Sequence, residues 1–243
     1  MARQNPPDTP HKVTAVIPAA GSGMRMGSRE AKQFLDLAGM PLLALTLRPF
    51  QECRLVDGIV LVVRREDISY CMGEIVDGFH LSKVKEVVAG GRRRQDSVRE
   101  GIESVPDDCW WVLVHDGVRP FISAELIQRV IRGTQQFRAV IPGVPLKETI
   151  KQADRENTVI RSIDRVHLWL IQTPQIFRLD DIRLAHQEAV KQGWREATDD
   201  ALLLEKLGIP IKIIKGEEGN IKVTTPHDLE LARFLISTRS HHL

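Results

Sequence analysis

Small residues and cations are concentrated near the start of the chain, in a pattern that suits an anionic ligand. The segment Pro18–Gly23 reads Pro-Ala-Ala-Gly-Ser-Gly and is followed by Arg25 and Lys32. Small residues let a backbone approach a ligand closely, and glycine permits positive φ angles that direct successive N–H groups at one anion. Arg25 and Lys32 add full positive charges. The segment therefore predicts a phosphate-binding loop after the apolar strand Val13–Ile17.

Two common phosphate loops do not fit this segment. A P-loop requires Gly-Lys-Ser/Thr at its end, which the sequence lacks here. The dinucleotide fingerprint requires G-x-G-x-x-G, whereas Gly21, Gly23 and Gly27 follow a pattern that is one residue longer. Taken alone, the loop is better explained as an ordinary glycine-rich turn between a strand and a helix.

Three further polar or glycine-rich sequences follow predicted strands. They are Gly90–Gly91, His115–Gly117 and Pro142–Gly143. Ligands of open parallel sheets bind at the carboxyl ends of the strands, so these sequences are expected to share one sheet edge with the first loop. His115 is expected to be a hydrogen-bonded structural residue rather than a general base.

Each candidate residue also has a structural explanation. Of the run Arg92–Arg94, one side chain rather than three is expected to contact a ligand. Asp116 could bind a hydroxyl or a metal, or bond its own turn. Asp199 and Asp200 suit the first turn of a helix. Lys222 taken alone is an ordinary surface lysine.

The apolar pattern predicts alternating strands and helices, which favour an α/β fold with a mostly parallel, doubly wound sheet. The predicted strands are Val13–Ile17, Ile59–Val63, Val84–Ala89, Trp110–Val114, Ala139–Ile141 and Ile209–Lys215, the last at a sheet edge because of Pro210. Helices are expected between them, and a last helix is expected to begin at Thr225–Pro226.

The alternation is interrupted at residues 144–170. Two short β-like pieces, Thr149–Lys151 and Thr158–Ile160, flank the polar turn Ala153–Asn157. This pattern predicts an inserted β-hairpin. A hairpin alone is marginally stable in water, so it is expected to pack on another surface, such as a second subunit of a homodimer.

Composition narrows the class of protein. The 243 residues are 42% hydrophobic, carry a formal net charge of +2 and include three widely spaced cysteines. We expect a single domain at 12–238, a disordered segment at 1–11 and a short tail at 239–243. The small net charge argues against a nucleic-acid partner, and no apolar run approaches the roughly 20 residues that span a bilayer. The cysteine pattern fits a reducing cytoplasm and no zinc site.

Motifs along almost the whole chain resemble one family, 2-C-methyl-D-erythritol 4-phosphate cytidylyltransferase of the non-mevalonate isoprenoid pathway. Some of them, the first loop above all, occur in many sugar nucleotidyltransferases, whereas Asp164–Arg165 and Asn220–Thr224 are narrower. The motifs are Pro18–Gly27 with Lys32, Gly90–Gly91 with Arg94-x-Asp96-Ser97-Val98, His115-Asp116-x-x-Arg119-Pro120, Lys147-x-Thr149, Asp164-Arg165, Thr173-Pro174-Gln175, Thr198-Asp199 and Asn220–Thr224.

The resemblance implies a set of residue roles. The catalytic cations would be Arg25, Lys32 and Lys222. The loop amides of Ser22 and Gly23 would hold CTP phosphates, and the rest of the nucleotide would be bound by Pro18, Ala19, Ala20, Gly21, Gly91 and Ser97. The acceptor, methylerythritol phosphate, would be bound by Asp116, Arg119, Thr149, Arg165 and Thr173. No contact of Arg92 with the base is implied, because the family varies at this position.

The implied reaction transfers CMP from CTP to the acceptor phosphate, with Mg²⁺ held mainly by the CTP phosphates and no dedicated protein metal site. In the family, Thr149 and Arg165 lie on an arm that is exchanged across a homodimer. Two other readings are open from the sequence. One is a cytidylyltransferase for another polyol phosphate such as ribitol 5-phosphate, and the other is a non-catalytic nucleotide-binding regulator.

Overall fold

The computed structural model describes residues 11–21, 31–194 and 197–240. The predicted site residues Ser22, Gly23 and Arg25 lie outside these ranges, as does most of the predicted N-terminal disordered segment. Within the described ranges, no helix combines the length and the apolar character needed to cross a membrane.

The secondary structure alternates between strands and helices along most of the chain. The strands are β1 (Val13–Pro18), β2 (Asp36–Leu37), β3 (Met40–Pro41), β4 (Gly58–Val63), β5 (Val84–Ala89), β6 (Trp111–Val114), β7 (Ala139–Pro145), β8 (Ile150–Ala153), β9 (Val159–Ile163), β10 (Trp169–Ile171), β11 (Gln175–Arg178) and β12 (Lys212–Lys215). The α-helices are α1 (Leu42–Glu52), α2 (Ile68–Tyr70, continued by a π-helix at Cys71–Asp77), α3 (Arg94–Glu103), α4 (Ala124–Arg132), α5 (Leu179–Lys191), α6 (Ala201–Lys206) and α7 (Pro226–Ser240).

The main sheet has the strand order β10-β7-β11-β6-β1-β4-β5, and β12 in addition pairs with β7. Strand β1 lies at its centre, where Val16 is flanked by Val60 of β4 and Val114 of β6. Neighbours β1, β4, β5 and β6 run parallel, as do β7 and β12. The mostly parallel α/β sheet is confirmed, and so is the edge position of the last strand.

Helices cover both faces of the sheet, because successive residues of a strand point to opposite sides. Ala15 and Ile17 of β1 belong to a core that includes residues of α1 and α4. Val16 belongs to a second core that includes residues of α3, α5 and α6. The doubly wound arrangement is therefore also confirmed.

Two strands of the main sheet were not predicted, and they make this sheet mixed. Strand β11 lies antiparallel between β6 and β7, and β10 is antiparallel to β7. The predicted ligand turn at Pro142–Gly143 is wrong, because β7 continues through it to Pro145. A Cβ on Gly143 would lie 3.2 Å from Ile171 and 3.3 Å from Ile213. The glycine thus lets side chains of β10 and β12 approach this strand closely.

Helix α3 lies unusually close to the sheet and so fixes the position of its own first turn. A Cβ on Gly101 would lie 2.5 Å from Val16 and 2.7 Å from Val62, which is too close for any larger residue. Val98 and Ile102 of the same helix are fully or almost fully buried. The helix start, with Arg94 and Ser97, is therefore held at the carboxyl edge of β1 and β4.

The interrupted stretch does contain the predicted hairpin. Strands β8 and β9 pair antiparallel, with Ile150 opposite Ile163. The ends of the stretch differ from the prediction, because Val144 and Leu170 pair with each other within the main sheet. The role of the hairpin in dimerisation remains a prediction.

Candidate active site

Three loops meet where β1, β5 and β6 end. The Gly117 N–H donates to the Pro18 carbonyl oxygen at 3.1 Å, and the Gly90 N–H donates to the Val63 carbonyl oxygen at 2.7 Å. A Cβ on Gly117 would lie 2.9 Å from the Ala19 Cβ, and one on Gly90 would lie 2.6 Å from the Ala20 Cβ. Small residues are required here because the loops touch backbone to backbone.

These loops enclose a first cavity, which borders most of the residues expected to bind the nucleotide. Lys32 reaches it from a short 3-10 helix, Lys32–Phe34, and its Cε lies 4.0 Å from a Cβ built on Gly21. The lining residues are Pro18, Ala19, Ala20, Gly21, Lys32, Gln33, Gly91, Arg92, Arg93, Arg94, Ser97, Asp116, Val118 and Lys222.

The three consecutive arginines have different surroundings, although all of them border this cavity. Arg92 is exposed. The Arg93 side chain pairs with Asp96 at 2.6 Å, and the Arg93 backbone N–H donates to the same carboxylate at 3.2 Å at the start of α3. Arg94 turns inward, where its Nε lies 2.9 Å from Asp116 Oδ1 and its Nη1 lies 2.9 Å from Asp200 Oδ2.

Ser97 and Gln33 contribute polar groups of different kinds to the first cavity. The Ser97 hydroxyl donates to the Arg93 carbonyl oxygen, one turn earlier in the chain, at 3.1 Å. The Gln33 side chain is only 1% exposed, and neither its amide nitrogen nor its amide oxygen has a hydrogen-bond partner in the described structure. Gln33 was not singled out from the sequence.

Asp116 is the centre of the charged network. Its Oδ1 faces Arg94, and its Oδ2 lies 2.9 Å from Lys222 Nζ and 3.5 Å from Arg119 Nε. Burial alone would raise the pKa of Asp116, but Arg94, Lys222 and Arg119 together hold it well below its usual value. Asp116 is therefore ionised, and two of its three cations are site residues expected from the sequence.

The pKa values of Arg94 and Arg119 are shifted in opposite directions, because burial and neighbouring charge balance differently at the two residues. Burial disfavours the Arg94 cation, yet the carboxylates of Asp200 and Asp116 raise its pKa above the ordinary value. For Arg119, burial is the larger effect and lowers the pKa in spite of Asp116. The Arg119 Nη1 donates to the Asn220 carbonyl oxygen at 2.8 Å, which holds the guanidinium beside the carboxylate.

A second cavity adjoins the first and shares Arg94, Asp116 and Lys222 with it. These three side chains thus form the wall between the two cavities. The second cavity is lined by Arg94, Asp116, Arg119, Ile171, Gln172, Thr173, Gln175, Thr198, Asp199, Leu202, Glu205 and Lys222. Asp199 accepts a hydrogen bond from the Leu202 N–H at 3.1 Å, at the start of α6.

Thr173 reaches the second cavity because β11 runs antiparallel to β6, which places the start of β11 beside the end of β6. The Asp116 N–H donates to the Thr173 Oγ1 at 3.2 Å, and the Asn220 Nδ2 donates to the Thr173 carbonyl oxygen at 2.7 Å. The peptide bond between Thr173 and Pro174 is cis. Asn220 and Thr173 thereby connect the segment that carries Lys222 to the end of β6.

Thr149 and Arg165 are not brought to either cavity of the same chain. Both side chains are exposed, and the Arg165 Nη1 donates to the Lys147 carbonyl oxygen. Within the described ranges, the residues predicted to bind the nucleotide line the two adjoining cavities. Of the five residues predicted to bind the acceptor, three also line them. Arg94 was considered only as one member of the run Arg92–Arg94, and Asp200 only as a residue of a helix start, so neither was assigned to the site from the sequence.

Comparison with known proteins identifies the family. The family model described as IspD, 2-C-methyl-D-erythritol 4-phosphate cytidylyltransferase, matches residues 13–238. This chain belongs to that family. A relative of that name from Pelotomaculum thermopropionicum is 43% identical over 232 residues, covering 96% of this chain and 97% of the relative. One from Syntrophus aciditrophicus is 42% identical, covering 91% and 94%.

Solved IspD-type structures agree with this assignment. A 4-diphosphocytidyl-2C-methyl-D-erythritol synthase from Anaerococcus prevotii superposes with a TM-score of 0.82 at 30% identity, covering 94% of this chain and all of that one. The 2-C-methyl-D-erythritol 4-phosphate cytidylyltransferase of Thermus thermophilus gives 0.75 at 32% identity, covering 91% and 98%. The chain is thus an enzyme of the nucleotidyltransferase class, which argues against a non-catalytic regulator.

Proposed function

We propose that this enzyme transfers CMP from CTP to 2-C-methyl-D-erythritol 4-phosphate, giving 4-diphosphocytidyl-2-C-methyl-D-erythritol and pyrophosphate in isoprenoid precursor biosynthesis. The observation that carries the proposal is the shared wall of Arg94, Asp116 and Lys222 between two adjoining cavities. A nucleotide on one side and a phosphosugar on the other would bring two phosphates together at this wall.

The first cavity would bind CTP. Its small loop residues, Pro18–Gly21 with Gly91, leave room for the cytidine, and Ser97 lies beside them. Lys32 and Lys222 enter the same cavity and would bind the triphosphate, with Arg25, Ser22 and Gly23 completing the loop. Lys222 also borders the second cavity, so its charge would face the acceptor phosphate as well. Lysine is a point charge with three donors, which suits a phosphate chain.

The second cavity would bind the acceptor. Asp116 is a carboxylate that can accept from a substrate hydroxyl, whereas Arg119 carries the charge that suits a phosphate. Thr173 lies next to both, with its hydroxyl beside the Asp116 backbone. Thr149 and Arg165 would reach this cavity from the partner subunit of a homodimer, because both are exposed at the base of the hairpin and border neither cavity of their own chain.

The exposed apolar residues of this arm support the dimer. Val159 and Ile160 are 57% and 59% exposed on β9, and Val166 is 71% exposed beyond it. Trp169 and Leu170 on β10 are also exposed. Exposed apolar side chains on one inserted segment favour association, and a symmetric dimer would cover the same residues on both subunits.

The chemistry is attack by an acceptor phosphate oxygen on the α-phosphorus of CTP. A new P–O bond forms, the bond between the α-phosphorus and the bridging oxygen breaks, and pyrophosphate leaves with that electron pair. A phosphate monoester has a second pKa of about 6 and is mostly ionised at neutral pH, so no general base is required. Burial lowers the pKa of His115 to about 3, which agrees with a structural histidine.

Charge repulsion is the main obstacle to this reaction. Two unit charges 4 Å apart repel by roughly 4 kcal/mol at an effective dielectric constant of 20. Arg94, Arg119 and Lys222 outnumber the carboxylates of Asp116 and Asp200 in the network, so the wall keeps a net positive charge. Fixed cations of this kind stabilise a transition state without reorganisation.

Mg²⁺ would be held mainly by the triphosphate and by water. Within the described ranges, no group of three or more His, Cys, Asp or Glu side chains could hold a metal ion. The carboxylate nearest the reaction, Asp116, already faces three cations, which fits a metal that is bound through the nucleotide. When bound, Mg²⁺ neutralises phosphate charge.

Pyrophosphate release tests the proposal. Purified enzyme is incubated with CTP and Mg²⁺, and with either methylerythritol phosphate or ribitol 5-phosphate. We expect stoichiometric pyrophosphate and cytidylylated product with methylerythritol phosphate, and at least a hundredfold lower kcat/KM with ribitol 5-phosphate. Comparable use of ribitol 5-phosphate would favour the alternative acceptor, and nucleotide binding without pyrophosphate release would reject the reaction.

A further inference from the structure

The Arg94 side chain ties two carboxylates together inside the molecule. Arg94 is the first residue of α3, Asp116 follows β6, and Asp200 directly precedes α6. Asp116 and Asp200 are 6% and 1% exposed, and each lies 2.9 Å from a different nitrogen of the Arg94 guanidinium. The rigid fork of a guanidinium suits this bridging contact, which a lysine cannot reproduce with one nitrogen.

The two oxygens of Asp116 have separate partners. Oδ1 faces Arg94, whereas Oδ2 faces Lys222 at 2.9 Å and Arg119 at 3.5 Å. The terminal torsion of an aspartate is broad, so the covalent geometry does not fix the direction of the carboxylate. The ion pair with Arg94 fixes it, and thereby sets where Lys222 and Arg119 are held.

Removing Arg94 would also change the local charge. With Arg94, the network of Asp116, Asp200, Arg94, Arg119 and Lys222 carries one net positive charge. Without it, two carboxylates face two cations, and Asp116 is free to draw on Lys222 and Arg119 with both oxygens. The donors of these two cations would then be engaged by the protein rather than by a substrate phosphate.

We infer that Arg94 is a positioning residue, which holds Asp116 so that Lys222 and Arg119 present their charges to the acceptor phosphate. The inference rests on the proposed function, because it assigns the second cavity to that acceptor. It differs from a purely structural role for Arg94, in which the guanidinium would only neutralise the buried Asp200.

A pair of variants separates the two roles. Arg94→Met alone leaves Asp200 buried without its cation and should lower the melting temperature. In Arg94→Met/Asp200→Asn the buried charge is removed together with its partner, which is often neutral for stability, so the melting temperature should recover. We expect the double variant to keep its KM for CTP within about threefold, while the KM for methylerythritol phosphate rises at least about tenfold.

The result that would overturn the inference is a stable double variant with the wild-type acceptor KM and kcat. Arg94→Lys provides a second test that keeps the buried charge and is therefore expected to fold. This variant should show the same selective rise in the KM for the acceptor. Equal rises in the KM values of both substrates, or no rise in either, would contradict the positioning role. Arg99→Met, on the same helix but paired with Glu100, is the control and should have wild-type kinetics.

These outcomes are distinct from a failure of the proposed function. A wild-type enzyme that releases no pyrophosphate would reject the reaction itself. If the wild-type enzyme is active and the Arg94 variants have the same kinetic constants as the wild type, only the positioning role is rejected. Titration of methylerythritol phosphate into enzyme saturated with a non-hydrolysable CTP analogue gives an acceptor affinity that does not depend on turnover.

Discussion

The Thr173 hydroxyl lies 3.1 Å from His115 Nδ1, in a chain of hydrogen bonds that crosses the site from β11 to the loop after β6. The Asp116 N–H donates to Thr173 Oγ1, and His115 Nε2 lies 3.3 Å from the Arg119 carbonyl oxygen. A carbonyl oxygen only accepts, so Nε2 carries the proton and Nδ1 accepts from Thr173. A neutral imidazole satisfies both contacts, in agreement with its burial, which disfavours the protonated form.

We expect His115 to make the enzyme sensitive to mild acid. Burial lowers its pKa to about 3, whereas an exposed histidine in the unfolded chain has a pKa of about 6.5. The unfolded state therefore binds the proton first, and stability falls as the pH drops from about 6.5 towards 3. For one histidine the loss between pH 7.5 and pH 5.5 is about 1.4 kcal/mol.

His115→Gln measures this contribution. Denaturant unfolding at pH 7.5 and pH 5.5 should show a smaller pH-dependent loss in the variant than in the wild type, by about 1.4 kcal/mol. The matched control, His227→Gln, replaces an exposed histidine in α7. An unchanged pH-dependent loss in His115→Gln would contradict the neutral, buried assignment.

Lys222 is expected to act mainly on turnover. Its Nζ lies 2.9 Å from Asp116 Oδ2 at the wall between the cavities, where the phosphates would meet. Lys222→Ala should lower kcat by about 10²–10³-fold, the usual cost of losing one charged transition-state contact. Lys32→Ala, which removes a cation from the first cavity, should lower kcat by a similar factor. Circular dichroism should show an intact fold. Lys191→Ala, on an exposed helix end, is the control, and near-normal kcat in either site variant would exclude that lysine from the transition state.

Gln33→Met is expected to stabilise the free enzyme and to weaken nucleotide binding. A buried amide without partners costs roughly 1–3 kcal/mol, and methionine removes that cost at similar volume. If CTP supplies the missing partners, the variant should bind CTP about tenfold more weakly while unfolding at a higher temperature. Thermal unfolding and calorimetric titration with CTP measure the two effects.

Gln95→Met is the matched control for this change. The Gln95 side chain is also buried, but its Nε2 donates to the Trp194 carbonyl oxygen at 3.0 Å and its Oε1 accepts from the Ala197 N–H at 3.4 Å. Replacing this satisfied amide should lower stability. Unchanged CTP affinity in Gln33→Met would show that the nucleotide does not use its amide.

The sequence allowed the parallel half of the sheet and the first cavity to be predicted, because both depend on local patterns. Apolar runs mark β1, β4 and β5, and small residues mark the loops after them. Strand β11 was not predicted because its four residues, Gln175–Arg178, carry no distinctive alternation. Arg94 pairs with Asp116 and Asp200 because the fold places the starts of α3 and α6 beside the end of β6. No spacing along the chain indicates this pairing.

Arg165→Ala is expected to act on the acceptor and not on CTP. Arg165 borders neither cavity of its own chain, so its effect depends on the partner's acceptor cavity. The KM for methylerythritol phosphate should rise at least about tenfold, because a charged contact to phosphate is lost, with the KM for CTP nearly unchanged. Arg161→Ala is the control, since Arg161 is exposed on the same hairpin and bonds Gln152. Equal changes in both KM values would contradict the acceptor assignment.

Mixing two inactive variants tests whether the arm crosses the dimer. In a mixed dimer of Thr149→Ala and Lys32→Ala subunits, one site would have an intact Lys32 and an intact Thr149 from the partner subunit. Unfolding and refolding an equal mixture should therefore restore about a quarter of the wild-type activity, because half of the dimers are mixed and each has one intact site. A mixture of Lys222→Ala and Lys32→Ala subunits should stay inactive, since both lysines belong to the same chain's site. Failure of the first mixture at every ratio would mean that Thr149 does not serve the partner's cavity.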